Sequence, residues 1–519
     1  MPDDGSCFEN FAKTLHSAVQ RSMTMKIILA GYNLDYGTIS AFKSKHQDMD
    51  CLTPETIAAA YARISRDPRP VNELREIAMT EVEKSRQSNR NIVFAMGHSS
   101  IAEHALFNID VLGVSRLLVE DIERSRLASF TEKSQRYVLL EDDFVVPREI
   151  TDAGCESDFV STVREQNLFY HKCYECLRSY VFEKHSDLAA DQKNRSLLEG
   201  WAKEDARYVI SLATETQLGM TINARSMELM IRRLAASPLS EGREFSRRLY
   251  EVAGHIAPSL VRYIEPTDYD KLTGGDLREQ AQRVGAKENR SAGKGELIQP
   301  QADEDVVLVH ATPDADDKIV AALLHSSSDI SLRQCLEMAA RMTLKEKEAV
   351  VKTACRRMRS YDSVLREFEN VDLHFELTVS ATCFAQLKRH RMATITCQDY
   401  NPALGATVPA AVSEAGMEQD FRDIISRTEE AYGRIKKSAP EAADYVLTNA
   451  HRRRVSMKVN ARELYHIARL RCDQYAQWDI RQTATKMTEE GRKVMPLTLM
   501  LAAGKDDFNR LYDKVFSPA

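Results

Sequence analysis

Hydrophobic and polar positions along this chain fall into two similar runs. Met25-Lys-Ile-Ile-Leu-Ala-Gly31 predicts a short buried strand ending in a turn. Residues 53–95 carry a helical period broken near Pro68 and Pro70. From 105 to 120 the pattern alternates and then shifts to a helical period, which predicts a strand followed by a helix. Long helices are predicted over much of 155–187 and much of 203–236. Residues 267–303 are polar and rich in Gly, Lys and Glu, the best linker stretch. The strand pattern returns at Val306-Val-Leu-Val-His310. The chain then runs through helices to a last helical pattern holding NARELYHIARLRCDQYAQWDIR. There Leu464, Ile467, Leu470 and Arg471 fall at near-helical spacing, with Arg462, His466 and Arg471 offset from the core face.

The two runs also share residues. Segment 113–137, GVSRLLVEDIERSRLASFTEKSQRY, can be laid on 378–400, TVSATCFAQLKRHRMATITCQDY. Both begin Val-Ser, pass through an apolar helical stretch and reach an Arg-x-Arg pair, Arg124/Arg126 or Arg389/Arg391. Asn223-Ala-Arg225 is echoed by Asn460-Ala-Arg462. The chain therefore reads as a tandem duplication. The expected division is an extension over 1–24, a first domain over 25–266, a linker over 267–303 and a second, divergent domain over 304–519. The expected fold class is α+β, each domain a small mixed or antiparallel sheet packed by long helices.

Composition changes this picture only at the margins. A length of 519 residues exceeds one ordinary core. A net charge of −6 argues against broad nucleic-acid binding but leaves room for a local basic pocket. No apolar run reaches the length of a membrane span, and the acidic MPDDGS start leads into no signal-like segment, so the expected location is cytoplasmic. Ten cysteines show one C-x-x-C, Cys173 and Cys176, with no second pair at zinc spacing, and no metal is expected.

At this point the residues resemble a known family, the flavin-dependent thymidylate synthases. Its signature is Arg-His-Arg, two residues, Ser, four residues, Ser, one residue, Arg-Tyr. The first copy carries Arg124-Ser-Arg126, Ser129, Ser134 and Arg136-Tyr137, together with GHSSIAEHALF (97–107), EDARYV (204–209) and NAR (223–225). The second copy carries AQLKRHRMAT, NAR and LRCDQYAQWDIR. The likeness covers most of 25–235 in the first copy, and mainly 376–396 and 458–481 in the second.

The resemblance implies methylation of dUMP to dTMP, with FAD as cofactor and NADPH and methylenetetrahydrofolate as co-substrates. It also implies dUMP as ligand, and a dimer of two-domain chains that rebuilds the family's tetramer. In this family each active site is shared between subunits, and here the copies have lost different residues. The first keeps Glu132, Ser134, Gln135, Arg136 and Arg207 for the nucleotide. It has Asp121 where a Gln belongs and Leu234 where an Arg belongs. The second keeps Gln386, Arg389 and Arg471 but has Asp399 and Asp444 at two nucleotide positions. Arg471 is the implied catalytic group, stabilising the uracil anion. For the flavin, the resemblance implies His98, Ser100, Glu103, Asn223 and Arg225 in the first copy. In the second it implies Arg389, His390, Arg391, Asn460, Arg462 and His466, with Tyr361, Ser363 and Arg366 standing where the first has His98, Ser100 and Glu103.

Plainer readings stand beside these. Ser134 fits a helix N-cap with Arg136 as an ion-pair partner, and Arg471 fits a pair with Asp473 or Asp479. Arg124, Arg126, Arg225 and Arg462 fit solvated helix faces. Two other functions fit the same motifs: a related flavin-dependent pyrimidine-nucleotide methylase or reductase, and a non-catalytic nucleotide- or flavin-binding paralogue.

Overall fold

A computed structural model describes residues 24–34, 53–63, 67–95, 98–291 and 305–517. The expected extension over 1–24, save Thr24, and the part of the linker from 292 to 303 lie outside these residues. The chain forms two compact units, one of residues 1–297 with 411–447, the other of 298–410 with 448–519. The fold is α+β, with a separate four-stranded antiparallel sheet in each unit.

In the first unit the strands are β1 (Lys26–Tyr32), β2 (Leu106–Ser115), β3 (Ala128–Glu132) and β4 (Glu215–Asn223), in the order β1-β2-β4-β3. In the second they are β5 (Val306–Ala311), β6 (Asp372–Ser380), β7 (Thr394–Cys397) and β8 (Arg452–Asn460), in the order β5-β6-β8-β7. One irregularity repeats as well. The first strand of each sheet shifts register near its middle, between Leu29 and Gly31 and between Leu308 and His310.

The expected strand-to-helix transition after residue 105 is present in both copies. Strand β2 leads into helix α1 (Arg116–Ile122), and β6 leads into the matching helix at Ala381–Leu387. Ser115 and Ser380 make the turn: each hydroxyl accepts the N–H of the residue three further on, Leu118 or Cys383. Each serine also donates to a buried-side carboxylate, Ser115 to Glu241 at 2.6 Å and Ser380 to Asp479 at 2.5 Å.

Two expectations need correction. The helix expected over 203–236 is three elements. Helix Arg195–Ala206, here α3 after α2 (Glu156–Lys184), ends before strand β4, and α4 (Ala224–Ala235) follows. The stretch from Thr216 to Ile222 alternates buried and outward residues and carries β-branched Thr and Ile, so it pairs as the central strand. Likewise the last helical pattern breaks in two. The chain runs on through α5 (Ser240–Ala253), α6 (Ala381–Leu387) and α7 (Glu418–Ser438) to α8 (Ala461–Arg471), and a separate α9 (Trp478–Val494) follows it. Gln477, fully buried, caps α9 by accepting from the N–H groups of Asp479 and Ile480. The end of α8 also leaves Leu470 exposed, although Leu464 and Ile467 are core.

The linker stretch opens with a helix, Asp268–Ser291, whose Tyr269, Leu272 and Leu277 are exposed. Helix α7 belongs to the first unit. It packs on α2 through Phe421 against Phe169, and Gln166 donates to the hydroxyl of Thr428 at 2.8 Å. Cys173 is buried and Cys176 half-buried on α2, and among the described residues no group of three or more side chains could hold a metal ion. No described helix is long and apolar enough to cross a membrane.

Candidate functional site

The sheet register fixes which residues of the two copies correspond. Leu106 pairs with Asn223, and Asp372 pairs with Asn460. Ser129 pairs with Thr221, and Thr394 with Lys458. On this register Asp121 matches Gln386, Leu234 matches Arg471 and Asp444 matches Arg207. One earlier alignment changes. Glu103, three residues before β2, matches Glu369, three residues before β6, so Ser100 rather than Glu103 corresponds to Arg366.

In the first unit the residues expected at the nucleotide gather where β3 runs out towards α3. Ser134 lies in the turn after β3, and its hydroxyl accepts the backbone N–H of Arg136 at 3.3 Å. Arg136 forms an ion pair with Glu204 at the end of α3. Arg207, in the turn after α3, is buried and donates from Nε to the Glu204 carbonyl at 3.2 Å. Burial pushes the Arg207 pKa down; Glu204 opposes this, and Arg136 and Arg116 add to it. Arg116 lies 3.9 Å from Glu132, whose carboxylate accepts from Thr216 at 3.4 Å. Gln135 is buried in the same turn. Three arginines therefore share a niche with two carboxylates, a local cationic excess suited to a dianion. The pairing partner of Arg136 is Glu204, which sequence reasoning quoted in a motif but gave no role.

The residues of the first copy expected at the flavin form a shallower set. His98, Ser100 and Glu103 lie on or beside a short 3-10 helix, Ser99–His104, with His98 and Ser100 exposed. Asn223 is the N-cap of α4, accepting from Ser226 at 2.8 Å. Arg225 donates to Glu103 at 2.6 Å. Arg124 is exposed and sits 3.3 Å from Asp121, the solvated-face arrangement.

In the second unit the predicted residues come together more tightly. The turn between α6 and β7 carries Arg389, His390 and Arg391, with His390 buried and the arginines half-buried. Arg471, the last residue of α8, donates from Nε to His390 Nε2 at 3.0 Å and from Nη2 to the Gln386 carbonyl at 3.3 Å. The Gln386 side chain donates to Gln477 at 3.3 Å. His466, exposed on α8, meets the His390 ring edge-on with centroids 5.8 Å apart. Asn460 caps α8, as Asn223 caps α4, and Arg462 donates to Glu369 at 2.7 Å, as Arg225 does to Glu103. Glu369 was missed; its signal is its distance from the following strand, legible only once that strand is in register.

Comparison with known proteins follows the same division. The family model described as thymidylate synthase complementing protein matches residues 49–259 and again 307–497. A UPF0159 protein of Chlamydia muridarum is 25% identical over 429 residues, 79% of this chain and 79% of that protein. A flavin-dependent thymidylate synthase of Clostridium tetani is 31% identical over 219 residues, 41% of this chain and 83% of that protein. Among solved structures, a UMP/dUMP methylase from Streptomyces cacaoi, bound with 5-Br dUMP, covers 38% of this chain and 95% of its own at 19% identity, with a TM-score of 0.31.

Proposed function

The chain belongs to the thymidylate synthase complementing protein family, and on that premise we propose that it methylates dUMP to dTMP, with FAD bound and methylenetetrahydrofolate and NADPH as co-substrates. The observation that carries this reading is the second-unit cluster. Gln386, His390 and Arg471 come from two separated motifs and meet within hydrogen-bond reach.

Each retained set has a chemical use. Arg136 and Arg207 grip the phosphate dianion with forked donors. Arg136 is paired with Glu204, so phosphate binding exchanges one anion for another. Arg471 stabilises the negative charge that develops on the uracil ring, and its Nε and Nη2 contacts fix its plane beforehand. Glu132, Ser134, Gln135, Gln386 and Arg389 complete the nucleotide contacts.

The donor set also fits a flavin. Arg389, Arg391 and the exposed His466 present cationic and aromatic groups around a turn whose buried His390 is already oriented, and Asn460 and Arg462 flank it. In the first unit His98, Ser100, Glu103, Asn223 and Arg225 offer a second, weaker group, since Glu103 and Arg225 neutralise each other. When bound, reduced flavin supplies the hydride equivalent. The residues themselves bind, orient and stabilise charge. Two chains associate to supply the family's four domains, in a cytoplasmic setting.

Titration with FAD, followed by dUMP, tests the reading. A saturable flavin spectrum that changes on nucleotide addition, and dTMP formed once the co-substrates are present, is the expected result. A flavin-free protein that still binds dUMP points instead to a non-catalytic nucleotide-binding role. A flavin-loaded protein that makes no dTMP points to a related methylase or reductase.

A further inference from the structure

One buried carboxylate beside the second-unit cluster is unused by the chemistry above. Glu463 is the third residue of α8, and its backbone N–H donates to the capping Asn460 at 2.8 Å. Its side chain turns inward and lies 3.5 Å from His390 Nδ1. Glu463 is 9% exposed and His390 3%. The other ring nitrogen of His390 is committed. Arg471 Nε can only donate, so Nε2 must accept and carries no proton. A neutral imidazole then keeps its proton on Nδ1, the atom that faces Glu463. Nδ1 is buried, with no hydrogen-bond partner closer than this carboxylate among the described residues. Burial holds the His390 pKa below its ordinary value; Glu463 opposes that, and Arg471 and His466 add to it.

We propose, resting on the function given above, that Glu463 is a positioning residue: it selects the Nδ1–H tautomer of His390, and that tautomer holds Arg471 in place. The first copy lacks every member of this relay. Ser226 stands at the Glu463 position, Ser125 at that of His390 and Leu234 at that of Arg471. A Glu463 retained only for capping would need no partner set, because the capping bond to Asn460 uses its backbone alone, as does the bond of Ser226 to Asn223.

The test uses the full chain with isotope-labelled histidine. Ring-nitrogen shifts report the tautomer, and the His390 signals are assigned by their loss in His390→Gln. Wild type and Glu463→Gln, which keeps a carbonyl acceptor, are expected to show Nδ1–H. Glu463→Ala, and Glu463→Met if the smaller side chain prevents folding, are expected to show a mixture. In turnover, the alanine or methionine variant should lose roughly tenfold in kcat, the size of one hydrogen bond, with KM unchanged, and Glu463→Gln should recover it. A wild-type tautomer signature in the variant without a carboxylate or amide overturns the proposal. So does a kcat loss that Glu463→Gln fails to rescue. If wild type itself makes no dTMP, the proposed function fails, and the tautomer measurement still decides the role of Glu463.

Discussion

Leu234 and Arg471 stand at the same place near the ends of matching helices, and the two copies treat that place in opposite ways. Leu234 is 2% exposed and packs into the first unit's core. Arg471 is held at the surface of its unit by His390 and Gln386. The reverse contrast holds at Arg207 and Asp444. The arginine is buried beside Glu204 and Arg136, while the matching Asp444 is the second residue of a short 3-10 turn, Ala443–Val446. Each copy therefore retains its polar residues as connected local networks, and the places it abandoned are filled by core or acidic side chains. That pattern fits the proposed division of function better than simple decay, which would leave isolated survivors.

The largest expected effect breaks the contrast at Arg471. Arg471→Ala should lower kcat by about 10²–10³-fold with little change in dUMP affinity, because the lost charge acts on the transition state. Leu234→Ala should do the reverse, leaving turnover per folded molecule intact while costing about 2–5 kcal/mol of first-unit stability in denaturant unfolding. Equal effects of the two substitutions would dissolve the comparison.

Acid should separate the units next. His451 is fully buried, and its Nδ1 accepts the N–H of Thr448 at 2.9 Å; burial pulls its pKa down to about 4. The unfolded chain takes up a proton near the ordinary histidine value of 6.5 and the folded second unit does not, so stability is lost as pH falls from there towards 4. The loss approaches about 3 kcal/mol. Thr214, the first-copy counterpart, does not titrate. Glu241, buried in the first unit, has its pKa raised by burial, against the donors of Ser115 and Tyr445. Its contribution is greatest below the ordinary carboxylate value of 4.5 and is lost as pH rises. Hydrogen exchange resolved by unit should show opposite slopes between pH 4 and 6.5, with His451→Thr flattening only the second.

A smaller effect sharpens the first-copy side. Arg136→Ala should weaken dUMP binding by roughly ten- to hundredfold, the worth of one charge-assisted bond. An unchanged dissociation constant would reduce the Arg136–Glu204 pair to a structural ion pair.

Local signals made much of this legible in sequence. A short apolar run gave β1, alternation gave β2, and the paired Val-Ser and Asn-Ala-Arg segments marked the duplication. Strands β4 and β8 were harder. They lie between helices, and the β4 segment was absorbed into a helical period although its Thr and Ile residues pair as a central strand. The placement of α7 with the first unit depends on contacts far apart in the chain, such as Gln166 with Thr428, which no local pattern encodes. Glu204, Glu369 and Glu463 escaped notice because acidic residues near helix ends are common. Only their arginine and histidine partners distinguish them.

The central proposal is that the chain takes up one nucleotide rather than two, because each copy keeps only part of the residues that the family resemblance implies for it. Calorimetric titration of the FAD-supplemented protein with dUMP measures this directly. The account predicts one dUMP per 519-residue chain, with turnover lost by either Arg136→Ala or Arg471→Ala; two dUMP per chain, or full turnover in either variant, would contradict it.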